Sequence, residues 1–134
     1  MSSTVSTFLM FEGKKAEEAM TFYVSLFKDA SITHIQRYGP GEPGAEGSVV
    51  QAAFTLNGQR FMCIDSSVKH GFSFTPATSI FVTSDSEAEI DMLAAKLGEG
   101  GQVMMPLGEY PFSRKFTWLA DRYGVSWQLS LKTA

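Results

Sequence analysis

The chain has 134 residues, 44% of them hydrophobic and 19% charged, and a formal net charge of -3. That length suits one domain with a real core, and the mild acidity without any Lys/Arg cluster excludes the basic footprint of a nucleic-acid binder. A lone cysteine, Cys63, excludes an intrachain disulfide framework, no apolar run reaches membrane-spanning length, and "MSSTVSTFLMF" lacks the regions of a signal peptide, so a cytoplasmic protein with no membrane partner is expected.

In chain order, "TFLMF" (Thr7 to Phe11) reads as a short buried strand. "KKAEEAMTFYVSLF" follows as a helix, with Ala16, Ala19, Met20, Tyr23 and Phe27 on one side and Glu17, Glu18, Thr21 and Ser25 on the other. "SITHIQRY" alternates as a strand, which puts Ile32, His34, Gln36 and Tyr38 on one face. "GPGEPGAEG" is too rich in Gly and Pro for regular structure. "VVQAAFTLNGQRFMCID" is a hairpin turning at Asn57-Gly58.

After the polar, aperiodic "SSVKHGFSFTPAT" the pattern restarts. "SIFVT" is a strand and "SDSEAEIDMLAAKLGEGG" a helix, with Ser86 and Glu89 at capping-box spacing. Ile90, Leu93, Ala94 and Leu97 form its apolar stripe, and Gly98 is its stop. "QVMMPL" is a strand, "GEYPFS" a loop, and "RKFTWLA-DRYG-VSWQLSL" a second hairpin in which Val125, Trp127 and Leu129 alternate with Ser126, Gln128 and Ser130. One arrangement therefore occurs twice, with hairpin glycines Gly58 and Gly124 in matching places. The chain reads as a single domain, 1–134, made of module one (about 4–66), a linker (about 67–77) and module two (about 78–132).

A βαβββ unit occurring twice resembles the vicinal oxygen chelate superfamily, which includes glyoxalase I, extradiol dioxygenases and bleomycin-resistance proteins. "LMFEGKKAEEAMTFYVSLF", "FTPATSIFVT" and "GGQVMMPLGEYPFSRKFTWLADRYGVSWQLS" narrow the likeness to its PhnB-like branch, whose members carry the name 3-demethylubiquinone-9 3-methyltransferase. The resemblance implies an α+β fold, two βαβββ modules forming a curved mixed sheet around a cavity, helices outside, and a homodimer.

It also implies four recurring metal positions, two on the first strands and two on the last, the final one being a glutamate four residues beyond the hairpin glycine. Here those positions fall at about Thr7, Met62, Ser79 and Gln128. None of the four carries charge, and a thioether suits soft metals only. No metal and no other cofactor is therefore expected. His34 and His70 are the only histidines; His34 reads as a hydrogen-bonded strand residue and His70 as an exposed turn residue. Glu12, Glu109 and Asp65 read as solvated carboxylates, and Cys63 as a thiol packed under a helix and inert.

A glycine-rich turn opening a helix, the usual cradle of S-adenosylmethionine, is missing: Gly39, Gly41, Gly44 and Gly47 precede a strand, and Gly98, Gly100 and Gly101 end a helix. No nucleophile–histidine–acid set and no P-loop stand out either. What remains is a small-molecule pocket lined by Met62, Ser79, Phe81 and Gln128, with Leu9, Arg60, Ser126 and Ser130 as further candidates. The loop "PLGEYPFSRK" is expected to close over it, bringing Tyr110, Phe112 and Arg114, with Arg114 and Lys115 as anion anchors. The expected function is binding of a small, partly apolar or aromatic organic ligand, with Gln128 as an anchor that both donates and accepts. Two alternatives stay open: an enzyme, either the methyltransferase of the family name or a divalent-metal lyase or dioxygenase, and an interaction module with a collapsed cavity.

Overall fold

The computed structural model describes residues 2–132, in two compact units that divide between His70 and Gly71. The first contains β1 (Thr7–Phe11), α1 (Ala16–Leu26), β2 (Ala30–Arg37), β3 (Val49–Leu56) and β4 (Gln59–Asp65); the second contains β5 (Ser79–Ser84), α2 (Glu87–Gly98), β6 (Gln102–Tyr110), β7 (Ser113–Ala120) and β8 (Ser126–Leu131). Each unit has one four-stranded mixed sheet, ordered β1-β4-β3-β2 and β5-β8-β7-β6. The pairs β1–β4 and β5–β8 are parallel and the others antiparallel. This is the α+β fold with two βαβββ modules expected from the sequence, built as two open sheets and no closed barrel. No helix among the described residues is long and apolar enough to cross a membrane.

Alternation sorts each sheet into two faces. In the first, Leu9, Phe11, Phe54, Phe61 and Cys63 are buried toward α1: the Cys63 sulfur lies 3.9 Å from that of Met20, and the Phe54 ring meets that of Tyr23 at 6.3 Å. In the second, Leu119, Trp127, Leu129 and Leu131 are the buried set, and α2 meets this side, where Lys115 reaches Glu87 and Asp91. Burial of these apolar side chains, at about 25 cal/mol per Å² removed from water, is the main force holding each helix to its sheet.

Turn chemistry fixes the registers. Asn57 (φ 47°) and Gly58 (φ 88°) are both left-handed, the conformation a two-residue hairpin turn with native strand twist requires. Asp121 governs the other hairpin: its buried carboxylate accepts the backbone N–H of Tyr123 (2.9 Å) and of Val125 (3.0 Å) and the Trp127 indole N–H (2.9 Å).

Four expectations are corrected by the structure. "GEYPFS" is not a loop: β6 runs through Tyr110, leaving only Pro111 and Phe112 as the turn. The strand was hidden because Pro106 and Gly108 interrupt its pattern; β6 is a sheet edge with register irregularities, where such residues are tolerated. In β2 a bulge after Ile32 breaks the alternation, so that Ile32 pairs with Phe54 and His34 with Ala53, on opposite faces. The capping box is half formed: Ser86 Oγ accepts the Glu89 N–H (3.1 Å), but the Glu89 carboxylate accepts from Ser84 Oγ, which in turn accepts the Ser86 N–H (3.0 Å). Asp65 is buried and accepts the N–H of Ala16 (2.8 Å) and of Val49 (2.8 Å); it caps α1, whose own N-cap, Lys15, supplies no side-chain bond.

Candidate functional site

The face of each sheet turned away from its helix is the candidate surface. In the first unit, parallel pairing sets Phe8 beside Met62 and Met10 beside Ile64. Met62 stands on this open face with Arg60. Leu9 does not: it pairs with Cys63, on the helix side. Thr7 pairs with Phe61, also on the helix side, so the residue that shares a face with Met62 is Phe8.

In the second unit the open face gathers Ser79 and Phe81 from β5, Ser126, Gln128 and Ser130 from β8, and Phe116 and Trp118 from β7. These residues form a hydrogen-bonded group. Ser79 Oγ and Ser126 Oγ are 2.6 Å apart. The Trp118 indole N–H donates to Ser126 Oγ (2.9 Å), and Gln128 Nε2 donates to Ser79 Oγ (3.3 Å). With its amide nitrogen committed to Ser79, Gln128 turns its carbonyl oxygen outward, with no hydrogen-bond partner among the described residues. Ser130 Oγ lies 3.0 Å from Ser113 Oγ.

An aromatic cluster adjoins this group. Phe112 and Tyr110 each meet Phe116 edge-on, at 4.9 and 5.7 Å between centroids, Tyr110 stacks on Phe112 at 5.8 Å, and Phe81 lies 6.4 Å from Phe116. Phe116 is buried, but Phe81 and Phe112 are 56% and 64% exposed, unusual for aromatic rings on a small domain. The Tyr110 hydroxyl donates to the Pro106 carbonyl (2.6 Å), fixing its ring over the β6 edge. Tyr110, Phe112 and Arg114 thus belong to a hairpin and its turn, in place of the expected closing loop.

The two expected anion anchors separate. Lys115 points to the helix side, where Glu87 (2.8 Å) and Asp91 (2.6 Å) hold it; its bonds to Asp91 and Glu87 raise its pKa above the ordinary lysine value. Arg114, its neighbour on the strand, is exposed and has no hydrogen-bond or ion-pair partner among the described residues. Sequence reasoning missed Phe116 and Trp118. The signal was present: counting back from the "DRYG" turn sets Trp118 opposite Gln128 and Phe116 opposite Ser130, as the register shows.

Elsewhere, His70 is half-buried, not exposed. Its Nε2 lies 3.0 Å from Ser66 Oγ, and its backbone N–H donates to Glu12 (3.3 Å). Ser66 Oγ donates to the Val68 carbonyl (2.7 Å) and accepts the Val68 N–H (3.1 Å). With its proton thus engaged, Ser66 is oriented as a turn clasp and not as a nucleophile facing a base. Burial, with the Asp65 carboxylate nearby, pushes the Cys63 thiol up to about 12, so it is inert at neutral pH.

The donor set does not fit a divalent cation. The four positions that the superfamily resemblance pointed to carry Thr, Met, Ser and Gln; Thr7 faces the wrong side, and the side chains beside Met62 and Gln128 are the phenyl rings of Phe8 and Phe81. Among the described residues, no three His, Cys, Asp or Glu side chains gather in a way that could hold a metal ion.

The model of the family described as 3-demethylubiquinone-9 3-methyltransferase matches residues 3–130. The chain belongs to this family. Among solved structures, the PhnB protein of Bacillus cereus, described under the same methyltransferase name, is 60% identical, with 97% of this chain and 100% of that one covered at a TM-score of 0.94. The Pseudomonas aeruginosa protein PA1353 is 26% identical over 99% and 100% of the two chains, with a TM-score of 0.85. A fosfomycin resistance protein of Listeria monocytogenes, FosX, solved with Mn(II), is 15% identical over 99% and 95%, with a TM-score of 0.66, a likeness of fold alone. Comparison with curated proteins gives no match. The chain is thus PhnB-like, as the sequence resemblance implied, with a fold shared with the fosfomycin resistance protein.

Proposed function

We propose that the open face of the second sheet binds a small, flat, partly aromatic organic molecule and that it does so without a metal. The observation that carries this reading is the juxtaposition of exposed rings, Phe81 and Phe112, with a polar group in which the Gln128 nitrogen is fixed and its carbonyl is free. Rings supply apolar contact at low entropic cost, and a few convergent polar atoms supply orientation. Methyl transfer from S-adenosylmethionine, which the family name implies, finds no glycine-rich turn opening a helix here: the Gly39–Gly47 stretch leads into β3, and Gly98–Gly101 closes α2.

The two tryptophans provide the test. The Trp118 indole N–H lies on the open face, bonded to Ser126; that of Trp127 is buried on the other side, bonded to Asp121. Titration with 2-naphthamide, a neutral flat probe, is expected to move the Trp118 indole resonance in ¹H–¹⁵N spectra and to leave that of Trp127 in place. Movement of neither resonance at millimolar probe would contradict the proposal.

A further inference from the structure

Of the cations at the second sheet, Arg114 and Lys132 are exposed with no side-chain partner among the described residues, and Arg114 is the one that the chain sets between two rings of the cluster. Lys115 is locked to two carboxylates of α2, and Arg122 lies over the Tyr123 ring at 5.4 Å in the β7–β8 turn. Arg114 lies two residues from Phe112 and two from Phe116, which touch at 4.9 Å. Alternation sends its side chain to the open face, because Lys115 next to it demonstrably goes to the helix side.

We infer that the ligand of this face is an aromatic oxyanion, a flat apolar skeleton carrying a carboxylate or a comparable group, with Arg114 receiving the anionic end. The inference rests on the proposed binding face and names its substrate class. A guanidinium presents a planar fork that matches two carboxylate oxygens at once. The neighbouring groups suit the rest of such a molecule. Phe81, Phe112 and Phe116 take the skeleton edge-on or stacked, and the free Gln128 carbonyl accepts from a hydroxyl or amide N–H carried on it. The serine hydroxyls around Gln128 bond mainly to one another and to Trp118, so they shape the polar end without adding charge. Arg114 therefore supplies the discrimination between an anion and its neutral isostere.

The experiment compares 2-naphthoate with 2-naphthamide, probes of near-equal shape that differ in charge, on the full chain, with the Trp118 indole resonance as readout. For the wild-type protein, naphthoate is expected to bind about tenfold more tightly, the scale of one charge-assisted hydrogen-bonded pair. Arg114→Met is expected to abolish that preference, so that the two probes bind alike. Lys115→Met, on the opposite side, is expected to preserve it. The preference is also expected to shrink as salt is raised, since Arg114 is solvent-exposed. Equal binding of both probes to wild type, or a preference that survives Arg114→Met, overturns the oxyanion assignment while the binding face stands. Failure of both probes to bind removes the face and the assignment together.

Discussion

In the first sheet Phe8 stands beside Met62 and Met10 beside Ile64; at the corresponding places of the second, Phe81 stands beside Gln128 and Thr83 beside Ser130. One backbone arrangement thus presents an almost wholly apolar strand pair in one unit and a half-polar one in the other. The rings persist, both more than half exposed (53% for Phe8, 56% for Phe81), while thioether and alkyl give way to amide and hydroxyl. Packing preferences alone would favour the first solution in both units. Each open face also carries an exposed arginine, Arg60 in the first unit and Arg114 in the second, so the polar group around Gln128, and not the cation, is what separates the two faces.

The same pairing shows a second contrast at the helix entries. Phe11 lies beside Asp65, and Ser84 beside Leu131: the polar member of the corner is on the last strand in the first unit and on the first strand in the second. Asp65 bonds the N–H groups of Ala16 and Val49 directly, whereas Ser84 acts by organising Ser86 and Glu89. Substitutions at the two corners sharpen the comparison most. Asp65→Ala strands two buried N–H donors and is expected to cost about 3 kcal/mol in urea unfolding, against about 1 kcal/mol for Ser84→Ala, whose partners can turn to water. Equal costs would mean that the two corners are interchangeable.

The next effect is confined to the first unit. The Cys63 thiol ionises near 9.0 in an exposed chain and is pushed up to about 12 in the fold. Between those values the unfolded state holds fewer protons than the native one, so stability present below pH 9 declines as pH rises toward 12. Cys63→Ala is expected to flatten that part of the stability profile; at the Cys63-equivalent position the second unit has Leu129, which does not titrate. A variant with an unchanged alkaline slope would show that the thiol is not shielded as described.

Smallest is the surface pairing of Arg37 with Glu17, for which β2 reaches α1 at 2.7 Å. The Arg37 hydrogen bond holds the Glu17 carboxyl below the ordinary value of 4.5, so its contribution is present above pH 4.5 and is lost as pH falls through the depressed value. Both side chains are about half exposed, and Glu17→Gln is expected to change acid stability only slightly. A large shift in the acid midpoint would contradict the exposed placement.

The fold was legible because its strongest signals are local: helical spacing from Ala16 to Phe27, the Asn57-Gly58 turn, and the alternation of Ser126 to Leu131. What stayed hidden depended on register. The bulge at Thr33 reverses the face of His34, and no composition signal marks it. Pro106 and Gly108 disguised a strand because edge position, a tertiary property, is what permits them there. Asp65 resembled any strand-end carboxylate; only the arrival of the Ala16 and Val49 N–H groups makes it a cap. At the site, Gln128, Ser79 and Phe81 were placed on one face by alternation, whereas Lys115 was assigned with Arg114 although adjacent residues of a strand point to opposite sides. Leu9 and Thr7 failed for the same reason, a shift of one residue in where the first strand meets its partner.

The most direct measurement on the central claim, an organic-ligand face that works without a metal, is a native mass spectrum of freshly purified, untagged protein prepared without chelator. The account predicts a chain free of divalent metal that gains the mass of 2-naphthoate when the probe is added. One divalent ion retained per chain, or no gain with the probe at millimolar concentration, would contradict it.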